Sequence, residues 1–155
     1  MKLLLDLQRA SRARIPAPAR FRRWAAVALD GRCDAAELSI RIVTPAESRR
    51  LNARYRGKDR PTNVLSFPCA PPAGLRPLPL GDLVICAQVV AREARAQGKP
   101  AEAHWAHMTV HGVLHLLGYD HEGAREAARM EALEKKILAR LGYPDPYRTA
   151  QGKAA

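Results

Sequence analysis

The run Leu83-Val84-Ile85-Cys86 holds no polar side chain. A short strand of that kind is stable when both its faces are covered, so the chain must supply neighbouring strands and helices to pack on either side. The other periodic segments do so. Leu3, Leu5 and Leu7 alternate with Leu4 and Asp6, and Leu38, Ile40 and Ile42 alternate with Ser39 and Arg41. Both patterns have the two-residue period of strands. Asn63 to Phe67 reads as a further strand, stopped by Pro68.

Helices fill the intervals. Pro18 suits a first helical turn, with Phe21, Trp24, Ala25 and Ala28 at helical spacing and Gly31 as the stop. Thr44-Pro45-Ala46-Glu47 has the form of a capping box, opening a helix to about Tyr55. Three more are expected: one after Cys86 to about Gln97, one over Ala101 to Leu117, and one over Gly123 to Leu141. The last carries Met130, Leu133, Ile137 and Leu141 on one stripe. Cys69 to Leu80 is rich in proline and glycine and reads as a loop. The expected fold is α+β: one domain over residues 1–142, with a small mixed four-stranded sheet packed by five to six helices. Residues 143–155 are expected to form a frayed tail.

A chain of 155 residues fits one such domain. No apolar run approaches the ~20 residues of a bilayer span, and Leu3–Leu5 is too short for the core of a signal peptide. Cys33, Cys69 and Cys86 are odd in number and form no CxxC pair, so free thiols in a reducing cytoplasm are expected, with Cys86 in the core. The net charge of +11 attracts polyanions. Nucleic acid is one reading of that charge, and arginine used for solubility is the other.

All five histidines lie between His104 and His121. His111 and His115 are four apart on an expected helix, so their rings project from one face, close enough to share one ion. Gly118 can take the left-handed conformation that ends a helix and turns the chain, letting His121 approach from another side. Three neutral imidazoles leave one position open, the arrangement of a catalytic zinc site. His107 lies on the same stripe as His104, His111 and His115 and is an alternative third ligand, though it would crowd one side of the ion. Asp120 reads either as a partner orienting a ligand or as the N-cap of the last helix. The histidine spacing matches metzincin proteases, but those place a glutamate after the first histidine, where this chain has Gly112. That glycine is expected to serve close helix packing. Trp24 and Trp105 are expected in the core.

The segment His-Gly-Val-Leu-His-Leu-Leu-Gly-Tyr-Asp-His at 111–121 resembles the YbeY family of bacterial endoribonucleases. Tyr55-Arg56-Gly57-Lys58-Asp59, Thr62 to Pro68, and Gly81 to Cys86 resemble that family in the same order, over about residues 35–142. The resemblance implies one zinc ion on His111, His115 and His121, and a functionally important Arg56. It also implies single-strand-directed cleavage in ribosomal RNA maturation, notably near the 16S 3′ end, and a part in ribosome quality control. RNA and ribosomal particles are then the expected partners, with no membrane and no DNA. Arg56 would clamp the phosphate, while Arg54, Lys58 and Arg60 would track the RNA backbone. The nucleophile stays open between water activated at the ion and the RNA 2′-OH. Competing classes are a non-catalytic ribosome-assembly factor with structural zinc and, disfavoured by Gly112, a metallopeptidase.

Overall fold

The computed structural model describes residues 1–70 and 74–148. Its order is β1 (Lys2–Arg9), α1 (Pro18–Leu29), β2 (Ala35–Val43), α2 (Pro45–Arg56), β3 (Val64–Pro68), β4 (Leu78–Cys86), α3 (Ala87–Ala96), α4 (Ala101–Leu116) and α5 (Ala124–Arg140). The strands form one mixed sheet in the order β1-β2-β4-β3. The β1–β2 and β2–β4 pairs are parallel and β3–β4 is antiparallel. Five helices on a four-stranded sheet in one domain is the α+β class expected. Among the described residues, no helix is long and apolar enough to cross a membrane.

The polarity-free run 83–86 lies in β4, an interior strand. On one face Leu83 and Ile85 join Ile40, Ile42, Phe21, Trp24 and Trp105 in the main core. On the other, Val84 and Cys86 join Val43, Leu65 and Val89 in a smaller cluster beside Leu51 of α2. Both tryptophans are buried, and Phe21 packs edge-on between them. The three cysteines are free, with Cys86 buried.

Strand β4 begins at Leu78, inside the expected loop. Pro79 and Gly81 hide it in the sequence, because both are depleted in strands. The sheet accommodates them with a register shift opposite Glu37/Leu38. Gly81 has φ +129°, and a Cβ there would stand 2.2 Å from the Phe67 carbonyl oxygen. Residues 71–73 of that expected loop, and 149–155 of the expected tail, lie outside the described residues.

Helix α4 is the centre of the packing, touching β3, β4, α1, α3 and α5. Gly112 allows the approach. A Cβ at that position would lie 2.7 Å from Leu83 Cδ2, well inside normal carbon contact. The expected packing role of Gly112 therefore holds, and it sets α4 close against the sheet between His111 and His115.

The expectation of a frayed tail after Tyr143 is corrected for the residues described. Trp24 Nε1–H donates to the Tyr143 hydroxyl, which donates to Glu102 Oε2. Lys99 donates to the Pro146 carbonyl, and the Tyr147 hydroxyl donates to Glu134 Oε2 at 2.7 Å. These partners come from α1, α3–α4 and α5, so sequence proximity gave no hint of them.

Candidate metal centre

His111 and His115 stand one turn apart near the end of α4. The helix closes on Leu117, and Gly118 takes φ +102°, the left-handed turn its position called for. Gly118 N–H donates to His115 O at 2.9 Å and Tyr119 N–H to Leu114 O at 3.0 Å, which satisfies the last carbonyls of the helix. Asp120 then shapes the return. Its Oδ1 accepts from His121 N–H at 2.6 Å and Glu122 N–H at 3.2 Å. It does not cap α5, whose N-cap is Gly123 with no side-chain bond. Asp120 therefore orders the backbone that carries His121.

The turn brings the three rings together. His111 Nε2 and His115 Nε2 are 3.2 Å apart, and His115 Nε2 and His121 Nδ1 are 3.1 Å apart. Three imidazole nitrogens at 2.0–2.1 Å from one tetrahedral ion would stand roughly 3.3–3.4 Å apart. The two pairs that share His115 are thus within a few tenths of an ångström of that spacing, and all three rings offer a nitrogen within 4.8 Å of the others. Burial and the neighbouring rings of His111 and His121 push His115 down to about 4, so its ring is neutral near pH 7 and offers a lone pair.

A carboxylate that sequence reasoning missed lies behind this cluster. Glu134 is wholly buried. Its Oε1 sits 2.7 Å from His107 Nε2 and 3.0 Å from His111 Nδ1. Burial alone would raise this carboxyl, but the bonds from His107 and His111 outweigh it and bring it to about 2. The signal was available: Glu134 stands on the Met130–Ile137 stripe, where an unpaired charge is costly. Nothing local pointed to its partners, which lie 27 and 23 residues upstream.

His107 is only 7% exposed and faces Glu134. Glu134 Oε1 thus bridges His107 to His111, and His107, His111 and Glu134 form a second group compact enough to hold an ion. His104 is held in the same way by Glu93, at 2.8 Å. Neighbouring rings of His104, His107, His111 and His115 follow one another along α4, and the two N-terminal ones are anchored by carboxylates, that of Glu134 buried and that of Glu93 partly so.

A cleft of about 540 Å³ opens over the cluster. Its walls include His111, His115, His121 and Glu122 together with Arg56, Lys58 and Arg60. The basic wall is fixed by buried polar groups of α2. Ser48 Oγ donates to Thr62 O and accepts from Thr62 N–H, and Asn52 Nδ2 donates to Arg60 O. Thr44 caps α2 as expected, accepting from Glu47 N–H at 3.2 Å. The reciprocal half of the box is absent, because the Glu47 carboxylate pairs with Arg41. Arg56 Nη2 approaches Ser66 O at 3.4 Å and is otherwise exposed to the cleft. Arg54 does not line it; its guanidinium sits 5.3 Å from the Tyr55 ring centroid.

The family model described as Endoribonuclease YbeY matches residues 10–142. Among curated relatives, the Endoribonuclease YbeY of Alkalilimnicola ehrlichii is 64% identical over 90% of this chain and 86% of its own length. That of Pseudomonas entomophila is 60% identical over 94% and 93%, and that of Stenotrophomonas maltophilia 61% over 88% and 87%. A Thermotoga maritima protein solved in solution shares the fold, with TM-score 0.57 and 20% identity, over 90% of this chain and 92% of that one. Over nearly its whole described length, this chain belongs to the YbeY endoribonuclease family.

Proposed function

We propose that this protein is a zinc-dependent endoribonuclease, a hydrolase of phosphodiester bonds that acts in ribosomal RNA processing. The observation that carries this reading is the convergence of three imidazole nitrogens in a cleft that Arg56, Lys58 and Arg60 also line. His111, His115 and His121 hold the ion. A divalent ion there supplies Lewis acidity toward a phosphoryl oxygen and acidifies water. Arg56 binds the scissile phosphate and stabilises the charge that develops on it, since a guanidinium presents paired donors to phosphate oxygens. Lys58 and Arg60 follow the backbone on either side. Arg54, stacked on Tyr55, contributes at the outer edge.

Single-stranded RNA fits this arrangement, because the rings lie within a cleft that a flexible strand can enter. Ribosomal particles are the proposed setting, the 3′ end of 16S RNA the proposed substrate region, and the cytoplasm the proposed location. A peptidase reading finds no support at Gly112, where a helix-borne glutamate would be needed and where Leu83 leaves no room for one.

The test pairs elemental analysis with cleavage of a single-stranded ribosomal RNA fragment. Wild type is expected to carry one zinc per chain and cut. His115→Ala is expected to lose both metal and cutting. Arg56→Ala should keep the metal and lose about 10²–10³-fold in rate, the range for removing one charge-stabilising donor. Full cleavage by His115→Ala, or by Arg56→Ala, would overturn the assignment.

A further inference from the structure

We infer that Glu134 is a positioning residue for His111, and that Tyr147 of the C-terminal segment fixes Glu134 in turn. This deepens the proposed reading, since it rests on His111 being a ligand. Glu134 Oε1 accepts from His111 Nδ1–H at 3.0 Å, which leaves Nε2 with the lone pair, and Nε2 is the atom that faces His115. A carboxylate on the far nitrogen of a ligating histidine sets both its tautomer and its ring orientation. The same oxygen takes His107 Nε2–H at 2.7 Å, while Oε2 takes the Tyr147 hydroxyl at 2.7 Å. Three donors thus hold this buried carboxylate, two on Oε1 and one on Oε2.

Tyr147 is held for that task. Its ring meets the His107 ring edge-on, with centroids 5.3 Å apart. Pro146 accepts from Lys99, and the Asp145 carboxylate accepts from Tyr147 N–H at 2.9 Å. Tyr147 lies past residue 142, where the family match ends. The chain beyond that match thus reaches back to the metal centre through one hydroxyl and one carboxylate.

Two readouts test the inference on the full-length protein. The first needs no metal. Long-range ¹H–¹⁵N spectra of the metal-free protein near pH 7.5 should show His111 as the Nδ1–H tautomer, and Glu134→Ala should give a mixture of tautomers. The second is the zinc dissociation constant, measured by competition with a chromophoric chelator. Glu134→Ala should weaken it by about 10–100-fold, the range for losing such a partner. Glu134→Gln keeps an acceptor of the same shape but no charge, and should fall between Ala and wild type. It also keeps the test open if the alanine variant does not fold.

Tyr147→Phe should weaken zinc binding severalfold. Tyr143→Phe is the control: it lies in the same segment, but among the described residues its hydroxyl bonds Glu102 and Trp24 and not Glu134, and it should leave the constant within twofold of wild type. Equal zinc affinity in wild type and Glu134→Gln, with His111 unchanged in tautomer, would overturn the role of Glu134. Equal losses in Tyr143→Phe and Tyr147→Phe would overturn that of Tyr147. Failure of the wild type itself to bind zinc would instead overturn the three-histidine reading beneath both.

Discussion

Substituting Gly112 by alanine should change sign of effect according to what stands at position 83. In the native protein a Cβ at Gly112 would lie 2.7 Å from Leu83 Cδ2 and 3.0 Å from Cδ1. Carbon atoms at ease stand about 3.5–4.0 Å apart, and Leu83 is fully buried in β4, packed in the main core. Overpacking of this kind costs roughly 1–3 kcal/mol. Alanine in a helix interior recovers about 1 kcal/mol relative to glycine, so Gly112→Ala should destabilise by about 0–2 kcal/mol. Leu83→Ala alone should cost about 2–5 kcal/mol. In that background the clash is gone, the new methyl fills part of the cavity, and Gly112→Ala should stabilise by about 1 kcal/mol or more. Urea denaturation of the four metal-free proteins measures the cycle. A coupling of about 1–3 kcal/mol is expected, beyond the ~0.5 kcal/mol within which independent sites add. Equal effects of Gly112→Ala in both backgrounds would refute the claim that this glycine exists to seat α4 on the sheet.

Acid should act on the cluster in a defined window. His115 is depressed from about 6.5 in the unfolded chain to about 4 by burial and by His111 and His121. Between those values the unfolded chain takes up a proton that the native one refuses. The stability that His115 contributes is therefore full above about pH 6.5, falls as pH drops, and is gone below about 4; urea midpoints of metal-free protein against pH should trace that fall. Zinc content, measured after dialysis, should drop over the same acid range because protons compete for the ligating nitrogens, and zinc fully retained well below pH 5 would contradict histidine ligation. RNA affinity should fall linearly on a log–log plot against salt, by roughly 0.7 in slope for each phosphate neutralised on a single strand. Lys58→Ala and Arg60→Ala should each flatten that plot by about one such contact, whereas unchanged slopes would remove both from the binding surface.

What could be read from the residues alone was whatever depends on short spacing. The turn at Gly118, the convergence of His121 on His111 and His115, the cap at Thr44 and the two-faced burial of 83–86 are all local consequences of residue type and period. What could not be read depends on distant partners. The start of β4 carries Pro79 and Gly81, which argue against a strand until β2 and β3 are placed beside it. Glu134 shows in the sequence as a charge on the apolar stripe of α5, but its partners appear only when α5 is laid against α4. Tyr143 and Tyr147 follow a helix stop, where fraying is the ordinary outcome, and their hydroxyls are held by groups from α1, α4 and α5. The basic character of the loop is plain in the sequence, but its placement in the histidine cleft follows from Ser48 and Asn52, two buried polar residues with no motif of their own.

The most direct measurement is X-ray absorption at the zinc edge of the loaded wild-type protein, which counts the imidazole rings around the ion. Three rings at about 2.0–2.1 Å, with one exchangeable light ligand completing the set, is the expected spectrum. Four rings, or two or fewer with oxygen making up the remainder, would mean that His111, His115 and His121 do not together hold a metal open to substrate.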